Sequence, residues 1–369
     1  MSTIRLPDEQ ELLDRAKRGD ESAYRRLIEP HRSELHAHCY RMLGSVHDAE
    51  DALQDAMLRV WRFLPRFEGR SSLRSWLYRI ATNTCLDAIQ KRPKRVLPVD
   101  YASASDGSTP PGEPVVESVW IEPYPDEQLG LQDGYASPDA RYERRESIEL
   151  AFIAALQHLP ATQRAVLILR EVLGFSAAEV SESLETTVAS VNSALQRARK
   201  AVDERLPEQS QQATLRALGD EQLRELVERY VDAWERNDVQ AVVSMLAEDA
   251  AITMPPLASW YSGHDGIRTW LELSPLSGQF RWKHLLTHAN GQPAVAAYHW
   301  DEAEQAYTPF SLGVLTLRGD KVLEADYFIV RTIDVPDPKD FERWPDHATD
   351  AARLNAFYQR FQLPDRLTD

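Results

Sequence analysis

The chain has 369 residues, more than one ordinary domain of about 100–200 residues needs, so we expect two or three domains. Hydrophobic residues make up 43% and charged residues 27%, which supports packed cores and excludes a wholly disordered chain. No apolar run approaches the roughly 20 residues of a membrane span, and the charged start lacks the apolar stretch of a secretory signal. Two cysteines exclude a disulfide framework and a four-cysteine zinc site, so we expect a cytoplasmic protein.

The net charge of −16 argues against a nucleic-acid partner, but this charge is unevenly distributed along the chain. Residues 20–95 carry 14 basic and 10 acidic side chains, and residues 207–369 carry 15 basic and 26 acidic ones. Residues 96–140 carry 9 acidic side chains and no Lys or Arg. The acidic excess therefore lies in one linker and in the C-terminal part, while the N-terminal part is locally basic.

The N-terminal domain, predicted over residues 1–95, reads as helices. Apolar residues recur at steps of three and four over 49–64, which predicts one face of a helix. A second helix is predicted over about 72–90, capped by Ser71 or Ser72. The opposite side of the first helix carries an acidic row made of Asp48, Asp51 and Asp55.

Arginines alternate with aromatic residues around the loop between these two helices. Arginine binds phosphate and an aromatic ring stacks on a base, so the pattern is typical of single-stranded DNA capture, although the same aromatics also serve as core residues. The members of this pattern nearest the loop and in the second helix are Arg66, Phe67, Arg70, Arg74, Trp76 and Arg79.

Residues 96–140 are rich in Pro, Gly and Ser and show no sustained period, which predicts a long acidic linker. A small aromatic anchor is predicted within it at Trp120 to Asp126, in the sequence WIEPYPD.

Residues 141–206 form the next predicted domain, with the spacing of a helix-turn-helix. A helix from Ser176 to Leu184 is followed by a polar turn and a longer helix from about Thr187. We expect Val188, Val191, Leu195 and Ala198 of the longer helix to face inward. A recognition helix needs short polar groups for base edges and basic groups for phosphates, whereas an ordinary helical hairpin is the alternative. The candidate DNA-binding residues are Ser190, Asn192, Ser193, Gln196, Arg197, Arg199 and Lys200.

The pattern over residues 207–335 is helix, helix, strand, helix and then strands, with a hairpin turn at Gly319-Asp320. It predicts an α+β domain with a curved antiparallel sheet, followed by a polar tail over 336–369.

Two of these segments closely resemble known protein regions. Residues 47–92, from HDAEDALQDAMLRVWRF to CLDAIQKR, resemble region 2 of the extracytoplasmic-function sigma factors of bacterial RNA polymerase, and residues 159–206 resemble their region 4. The C-terminal part resembles SnoaL-like domains of the nuclear transport factor 2 class. The resemblance implies two all-α sigma domains, a region 2 helical bundle and a region 4 helix-turn-helix, followed by an α+β SnoaL-like cone.

The resemblance also implies partners and roles. The chain would bind the β and β′ subunits of core RNA polymerase, with the β′ clamp helices docking on Asp48, Asp51, Gln54 and Asp55. The recognition helix would read the −35 promoter element, and the linker would run toward the RNA exit path as an RNA mimic or a merely solvated connection. The −10 element would be read, with a base flipped from the stack, by the loop and second helix at Arg66, Phe67, Arg70, Ser71, Ser72, Arg74, Trp76, Arg79 and Asn83.

For the C-terminal domain the resemblance implies a pocket between sheet and helices. Candidate pocket residues are Trp234, Trp260, Tyr261, His284, His299 and Asp326. An enzyme would need an acid and a base converging there, such as Asp326 with a histidine, whereas most of these aromatics suit a core. The NGQPA stretch over 290–294 matches a motif typical of sigma-fused members and favours regulation of the sigma regions in cis, through intramolecular contact.

Two further function classes stay open: a helix-turn-helix repressor acting without polymerase, and a bifunctional chain whose C-terminal domain binds or turns over a small molecule. An anti-sigma partner is left open. The sequence gives only a weak indication of a metal site at His36, His38 and Cys39. Side chains two positions apart on a helix point in different directions, so they do not converge on one ion. We therefore predict no metal, no cofactor and no catalytic residue.

Overall fold

The computed structural model describes residues 9–109, 111–112, 115, 119–129, 145–330 and 351–368. The linker stretch 130–140 and the first part of the tail, 336–350, lie outside these residues. The described residues fall into two compact units. The N-terminal unit holds 9–94, 128–129 and 155–205, and the C-terminal unit holds the described parts of 95–127, 145–154 and 206–368. No helix among the described residues is long and apolar enough to span a membrane.

The N-terminal unit begins with five helices. They are α1 (Glu9–Lys17), α2 (Glu21–Ile28), α3 (Arg32–Leu43), α4 (Val46–Phe63) and α5 (Leu73–Ile89). The predicted apolar face of α4 is buried, and Ser72 caps α5 by accepting the Ser75 N–H at 3.0 Å. Helix α3 ends at Gly44, whose φ of 72° is a conformation that glycine adopts without strain. These helices match the periodicity of the sequence.

The rest of the N-terminal unit contains the helix-turn-helix. The elements in this stretch are α7 (Leu150–Gln157), α8 (Ala161–Leu167), a π-helical segment (Ile168–Val172), α9 (Ala177–Ser183) and α10 (Val188–Asp203). Gln157 and Arg164 donate side-chain hydrogen bonds to the carbonyls of Arg41 and Met42, which end helix α3. The division between the two units falls inside α7.

The described part of the linker holds more secondary structure and more buried side chains than its composition predicts. It contains the short helix α6 (Pro98–Tyr101) and a one-bridge pairing of Val96 with Trp120. Within the predicted aromatic anchor, Trp120, Ile121 and Tyr124 are all buried. Proline and glycine prevented a regular period here, but the apolar anchor side chains still pack in the C-terminal unit.

The C-terminal unit is an α+β fold with one six-stranded sheet in the order β2-β1-β6-β5-β4-β3. Its helices are α11 (Gln211–Leu218), α12 (Asp220–Glu235), α13 (Val239–Ser244), α14 (Gly263–Leu273) and α15 (Ala351–Arg360). Its strands are β1 (Leu246–Thr253), β2 (Trp260–Ser262), β3 (Trp282–Ala289), β4 (Gln292–Asp301), β5 (Ala306–Arg318) and β6 (Lys321–Ile329). Buried side chains of α12, α13 and α14 share one apolar core with β1 and β6.

Two features of this sheet differ from the sequence prediction. Strand β1 pairs with β6 in parallel, so the sheet is mixed rather than wholly antiparallel. The apolar spacing over 239–249 predicts one helix, but the helix ends at Ser244 and β1 begins at Leu246. Pairing with a strand distant in the sequence overrides the local helical pattern there. The predicted hairpin is present, because Gly319 lies in the turn between β5 and β6 with a φ of 60°.

Candidate functional site

The recognition helix α10 presents all seven of its candidate DNA-binding residues to solvent. Val191, Leu195 and Ala198 are buried on its other face, as predicted. Val188 is 44% exposed instead of facing inward, because it occupies the first position of the helix, beyond the packed face. The exposed residues are Ser190, Asn192, Ser193, Gln196, Arg197, Arg199 and Lys200.

Capping side chains determine where both helices of the helix-turn-helix begin. Ser176 accepts the N–H of Glu179 at 3.2 Å, and Glu179 accepts the N–H of Ser176 at 2.8 Å, which completes a capping box at α9. Thr187 caps α10 by accepting the Ser190 N–H at 3.1 Å. The two helices are therefore fixed around a four-residue connection, as in a helix-turn-helix.

Two cations of α10 already have acidic neighbours. Arg199 lies 2.7 Å from Glu171, and Lys200 lies 4.0 Å from Glu204. All four side chains are well exposed, so these ion pairs are weak and can be exchanged for phosphate contacts.

The candidate −10 residues lie in the loop before α5 and in α5 itself, and they differ in burial. Phe67 is buried, with its ring 4.9 Å from that of Trp76 and beneath the ammonium group of Lys17 at 5.4 Å. The exposed or half-buried members of the set are Arg66, Arg70, Ser71, Ser72 and Asn83.

Two further candidates in α5, Arg74 and Arg79, contact the helix-turn-helix. The Arg74 Nη2 donates to the Leu173 carbonyl at 3.4 Å, and the Arg79 Nη2 donates to Glu185 at 3.1 Å.

The acidic row of α4 is split by the structure. Asp48 is buried and forms an ion pair with Arg92, which also lies 3.7 Å from Asp51. Gln54 and Asp55 are exposed. The row therefore presents Asp51, Gln54 and Asp55 outward, while Asp48 belongs to an intramolecular pair.

A cavity of about 760 Å³ adjoins this row in the N-terminal unit. Gln54 lies on its wall beside Leu58, a leucine that is 61% exposed. The other lining side chains from α2 and α4 are Glu21, Tyr24, Arg25, Glu50, Leu53, Met57 and Trp61. The wall is therefore apolar with a mixed charge, since Arg25 and Arg32 line it together with Glu21 and Glu50.

The histidines of α3 are core residues in the structure. The Nε2 atom of His38 lies 2.9 Å from the Thr82 hydroxyl, and burial lowers the pKa of His38 to about 3. His36 and Cys39 are also buried. Within the part of the chain that the structure describes, no three His, Cys, Asp or Glu side chains come together at metal-binding distance.

The candidate pocket residues of the C-terminal unit divide among separate places. Trp234 and His284 lie together, with ring centroids 6.2 Å apart, and His284 lies beside Glu235. Tyr261 stacks on Trp270 at 5.0 Å within the core.

The other three pocket candidates have different surroundings. His299 packs against the rings of Phe280 and Trp282, and Trp282 belongs to the same apolar core as Trp234 and Tyr261. The Trp260 Nε1 donates to the carbonyl of Ala102 in the linker at 2.8 Å. Asp326 alternates with core residues along β6 and therefore lies on the opposite face of the sheet. The structure does not bring Asp326 together with His284 or His299 as a catalytic pair, and the carboxylate beside His284 is that of Glu235.

Asp326 is a buried carboxyl group with one partnered oxygen. The Thr253 hydroxyl donates to its Oδ1 at 2.6 Å, while its Oδ2 is buried without a hydrogen bond. Burial, together with the neighbouring Glu324 carboxyl, raises the pKa of Asp326 to about 7.

A buried polar cluster forms around the β3–β4 turn, which is the NGQPA stretch. The Asn290 side chain accepts the Tyr124 N–H at 2.8 Å and donates to the Ile148 carbonyl at 2.7 Å. The Gln292 side chain accepts the Leu150 N–H at 2.8 Å. Two amide side chains thus join the linker and the start of α7 to the sheet, and both are fully buried.

The first residues of α11 complete the same cluster. Glu149 accepts the backbone N–H groups of Gln211 and Gln212 at 3.1 and 2.8 Å. Burial raises the pKa of Glu149 to about 7, and these hydrogen bonds oppose the rise. Gln212 donates to the Gly291 carbonyl at 2.6 Å, so the cluster closes on the turn.

The linker also runs along the outer strand of the sheet. The Ser105 N–H donates to the Trp260 carbonyl at 2.8 Å, and the Tyr261 hydroxyl donates to the Thr109 carbonyl at 3.0 Å. Gly107 packs so closely on α14 that an added Cβ would lie 2.2 Å from the Gly266 carbonyl oxygen. The linker backbone is therefore fitted to the C-terminal unit.

Sequence reasoning missed Glu149, Gln211 and Gln212 as site residues. Their signal is weak, because Glu149 sits among apolar residues and the two glutamines lie in what reads as a polar junction. The NGQPA motif was the usable signal, since Asn-Gly specifies a tight hairpin turn.

Three family models match the chain. One described as Sigma-70 region 2 matches residues 27–95, one described as Sigma-70, region 4 matches residues 149–202, and one described as SnoaL-like domain matches residues 227–325.

Similar proteins extend over most of the chain. It is 42% identical over 324 residues to the ECF RNA polymerase sigma factor SigG of Mycobacterium tuberculosis, covering 86% of this chain and 83% of that protein. It is 29% identical over 195 residues to the ECF RNA polymerase sigma factor SigW of Bacillus subtilis, covering 53% of this chain and 94% of that protein. The crystal structure of the M. tuberculosis extracytoplasmic function sigma factor SigJ is matched with a TM-score of 0.49 and 22% identity, covering 85% of this chain and 96% of that one.

Proposed function

Because the chain belongs to the extracytoplasmic-function sigma factors of bacterial RNA polymerase with a fused C-terminal SnoaL-like domain, we propose that it directs core polymerase to promoters and promotes initiation. It acts in the cytoplasm, where polymerase is, and it is not an enzyme. The observation that carries the proposal within the structure is the recognition helix, whose polar and basic candidates all face solvent on one capped helix.

The two DNA-reading surfaces have different chemistry. On α10, Asn192 and Gln196 offer amides to base edges in the major groove of the −35 element, while Arg197 offers a cation to phosphate. At the −10 element, Arg66 and Arg70 offer exposed cations beside the buried Phe67–Trp76 ring pair. Arginine next to an aromatic pair suits a single strand with one base turned out of the stack.

Polymerase docks on α4 in this proposal. Asp51, Gln54 and Asp55 provide an acidic and amide rim, and Leu58 provides an exposed apolar contact at the adjoining cavity. Asp48 supports this surface indirectly, because its pairing with Arg92 holds the end of the α5 segment against the start of α4.

The C-terminal domain modulates initiation in cis by holding the linker and the start of region 4. The holding contacts are the side chains of Asn290, Gln292 and Glu149, which bind backbone groups of these segments. The proposal keeps the predicted boundaries between the region 2 domain, the linker, the region 4 domain, the SnoaL-like domain and the tail, which lie at residues 95, 140, 206 and 335. The linker, on this view, belongs functionally to the C-terminal domain until polymerase draws it away.

The test is run-off transcription with core polymerase on templates selected from a random promoter library. The wild-type full chain should support initiation. The double variant N192A/R197A should give at least tenfold less run-off transcript on templates with a −35 element, because base and phosphate contacts are removed together. The matched control is D203N, which alters an exposed residue at the far end of the same helix and should initiate normally. Initiation that does not depend on the added protein would contradict the proposal.

A further inference from the structure

The end of helix α1 contacts the loop that precedes α5. Lys17 is the last residue of α1, and its Nζ atom lies 5.4 Å from the centroid of the Phe67 ring. Phe67 is 8% exposed, and the ring of Trp76 lies 4.9 Å from it. The face of an aromatic ring carries partial negative charge, so it attracts the ammonium group. A cation from a separate helix therefore stands beside the buried ring of the loop.

The corner between α1 and α2 fixes the position of Lys17. Asp20 caps α2 by accepting the Ala23 N–H at 3.0 Å, and its Oδ2 atom pairs with Arg15 Nη2 at 2.7 Å. Gly19 has a φ of 91°, which lets the chain turn sharply between the two helices without strain. The end of α1, with Lys17, is thus held in place by the fold.

The charge and the stem of Lys17 suit a phosphate. A lysine ammonium is a compact charge on a flexible four-carbon stem, and it binds phosphate as a point charge. The Lys17 side chain is half-buried, whereas Arg18, which follows it, and Arg66 in the loop are exposed. Arg70 is exposed as well and lies 2.6 Å from Glu68, the acidic residue of the same loop. Cations thus outnumber carboxylates at this end of α1 and in the loop.

We infer that Lys17 is a DNA contact of region 2, and that the end of α1 belongs to the −10-reading surface together with the loop and α5. When a base turned out of the stack enters the loop, the ammonium group leaves the Phe67 ring and binds the phosphate next to that base. Lys17 moves rather than Trp76, because Trp76 is a rigid ring on helix α5. This role rests on the proposed function, which assigns the loop to the −10 element.

Such an exchange adds affinity without adding sequence information. A cation–π contact at a half-buried site is weak, so phosphate can replace it. A phosphate contact fixes the register of the strand and releases a bound counterion, which makes binding sensitive to salt. The slope of affinity against salt concentration therefore distinguishes a lysine that contacts DNA from one that only supports the Phe67 ring.

The test measures binding of a fluorescent single strand by polymerase holoenzyme that contains the full chain. The strand is the non-template −10 strand of a promoter selected from a random library. K17M keeps the stem but removes the charge, and K17R keeps the charge. The matched control K91M makes the same change at an exposed lysine beyond the far end of α5, whose 17 residues span about 25 Å.

Each phosphate contact on a single strand contributes about 0.7 to the slope of log affinity against log salt concentration. We expect this slope to be about 0.7 smaller for K17M than for K91M. The difference corresponds to about fivefold weaker binding at about 0.1 M salt and to nearly equal binding at about 1 M. K17R should keep the wild-type slope.

Equal slopes for K17M and K91M would overturn the inference. Weaker binding by K17M with the wild-type slope would also overturn it, because Lys17 would then only support the Phe67 ring. A loss of slope in K17R as large as that in K17M would do the same. If the wild-type holoenzyme neither binds the strand nor initiates, the proposed function fails instead.

Discussion

The carboxyl group of Asp326 is only 2% exposed, and burial changes what this side chain does in the C-terminal unit. In sequence it is a candidate catalytic acid, because an acid with histidines nearby is a common pair. In the structure it lies across the sheet from His284, bound by Thr253 and next to Glu324. Its chemical consequence is a dependence of stability on pH rather than a reaction.

The sign of this dependence follows from the pKa of Asp326. The folded value of about 7 lies above the ordinary value of 3.8, so the folded protein binds more protons than the unfolded chain between these limits. The free energy of unfolding therefore falls as the pH rises from about 4 to 7. The isosteric variant D326N removes this site, and it should be more stable relative to wild type at pH 8 than at pH 5, by roughly 2–3 kcal/mol.

Urea unfolding of the full chain between pH 5 and pH 8 measures this difference. The control D249N changes an exposed carboxylate whose pKa is lowered by Arg318, so it should keep the wild-type trend over this range. Parallel pH profiles for wild type and D326N would contradict the assignment.

At the scale of elements, the linker shows how backbone fit can replace regular structure. The contact of Gly107 with Gly266 leaves no space for a side chain, and the Ser105 N–H bonds to strand β2 nearby. A linker that only separated two domains would tolerate substitution at every such position. This segment therefore has a specific resting place on the C-terminal unit.

The variant G107V should release this part of the linker, because its Cβ would overlap the Gly266 carbonyl. We expect amide exchange at Ser105 to become at least tenfold faster and proteolysis near residues 102–109 to increase, while the cooperative unfolding of the chain changes little. The matched control is G112A, whose Cβ would meet only the Ser259 hydroxyl at an ordinary 3.5 Å. Equal exchange in both variants would show that the close contact does not hold the linker.

At the scale of the whole molecule, the two compact units do not follow the order of the chain. The linker and the first turn of region 4 belong to the same unit as the SnoaL-like domain, through the buried cluster at Asn290. A buried polar network of this kind resists partial disruption, since each unpaired group keeps its desolvation cost. Regulation in cis can therefore act through a small number of hydrogen bonds.

The variant N290G tests this regulation in the full chain. Glycine tolerates the φ of 56° at this turn, so the substitution removes the side-chain hydrogen bonds without straining the backbone. We expect initiation at limiting protein concentration to rise severalfold, because the linker and region 4 are less restrained. Run-off transcription with core polymerase measures the change.

Asn237 provides the matched control for this variant. It has a nearly identical φ of 55°, and its side-chain oxygen is buried without a hydrogen bond. N237G should therefore leave initiation at the wild-type level. An equal effect of N237G and N290G would contradict regulation through the Asn290 cluster.

Local patterns in the sequence determined most elements and the family. Helices form from local spacing, so they can be predicted from residues close together in the chain. Examples are the three- and four-residue periodicity of α4, the caps at Ser72 and Ser176, and the polar face of α10. The Asn-Gly and Gly-Asp turns likewise specify hairpins from two residues each. The family could be predicted from the sequence because each of its two sigma motifs is a continuous stretch of the chain.

Tertiary structure alone decided which residues meet. Several contacts join residues that are far apart in sequence. Strand β1 pairs with β6 in parallel, and Asp326 lies across the sheet from His284. Asp48 pairs with Arg92, and the carboxylates of Glu179 and Glu185 contact α5. The acidic linker looked solvated because its composition carries no information about its partner surface. Its burial on the C-terminal unit depends on shape and on backbone hydrogen bonds, and these arise only when the chain has folded.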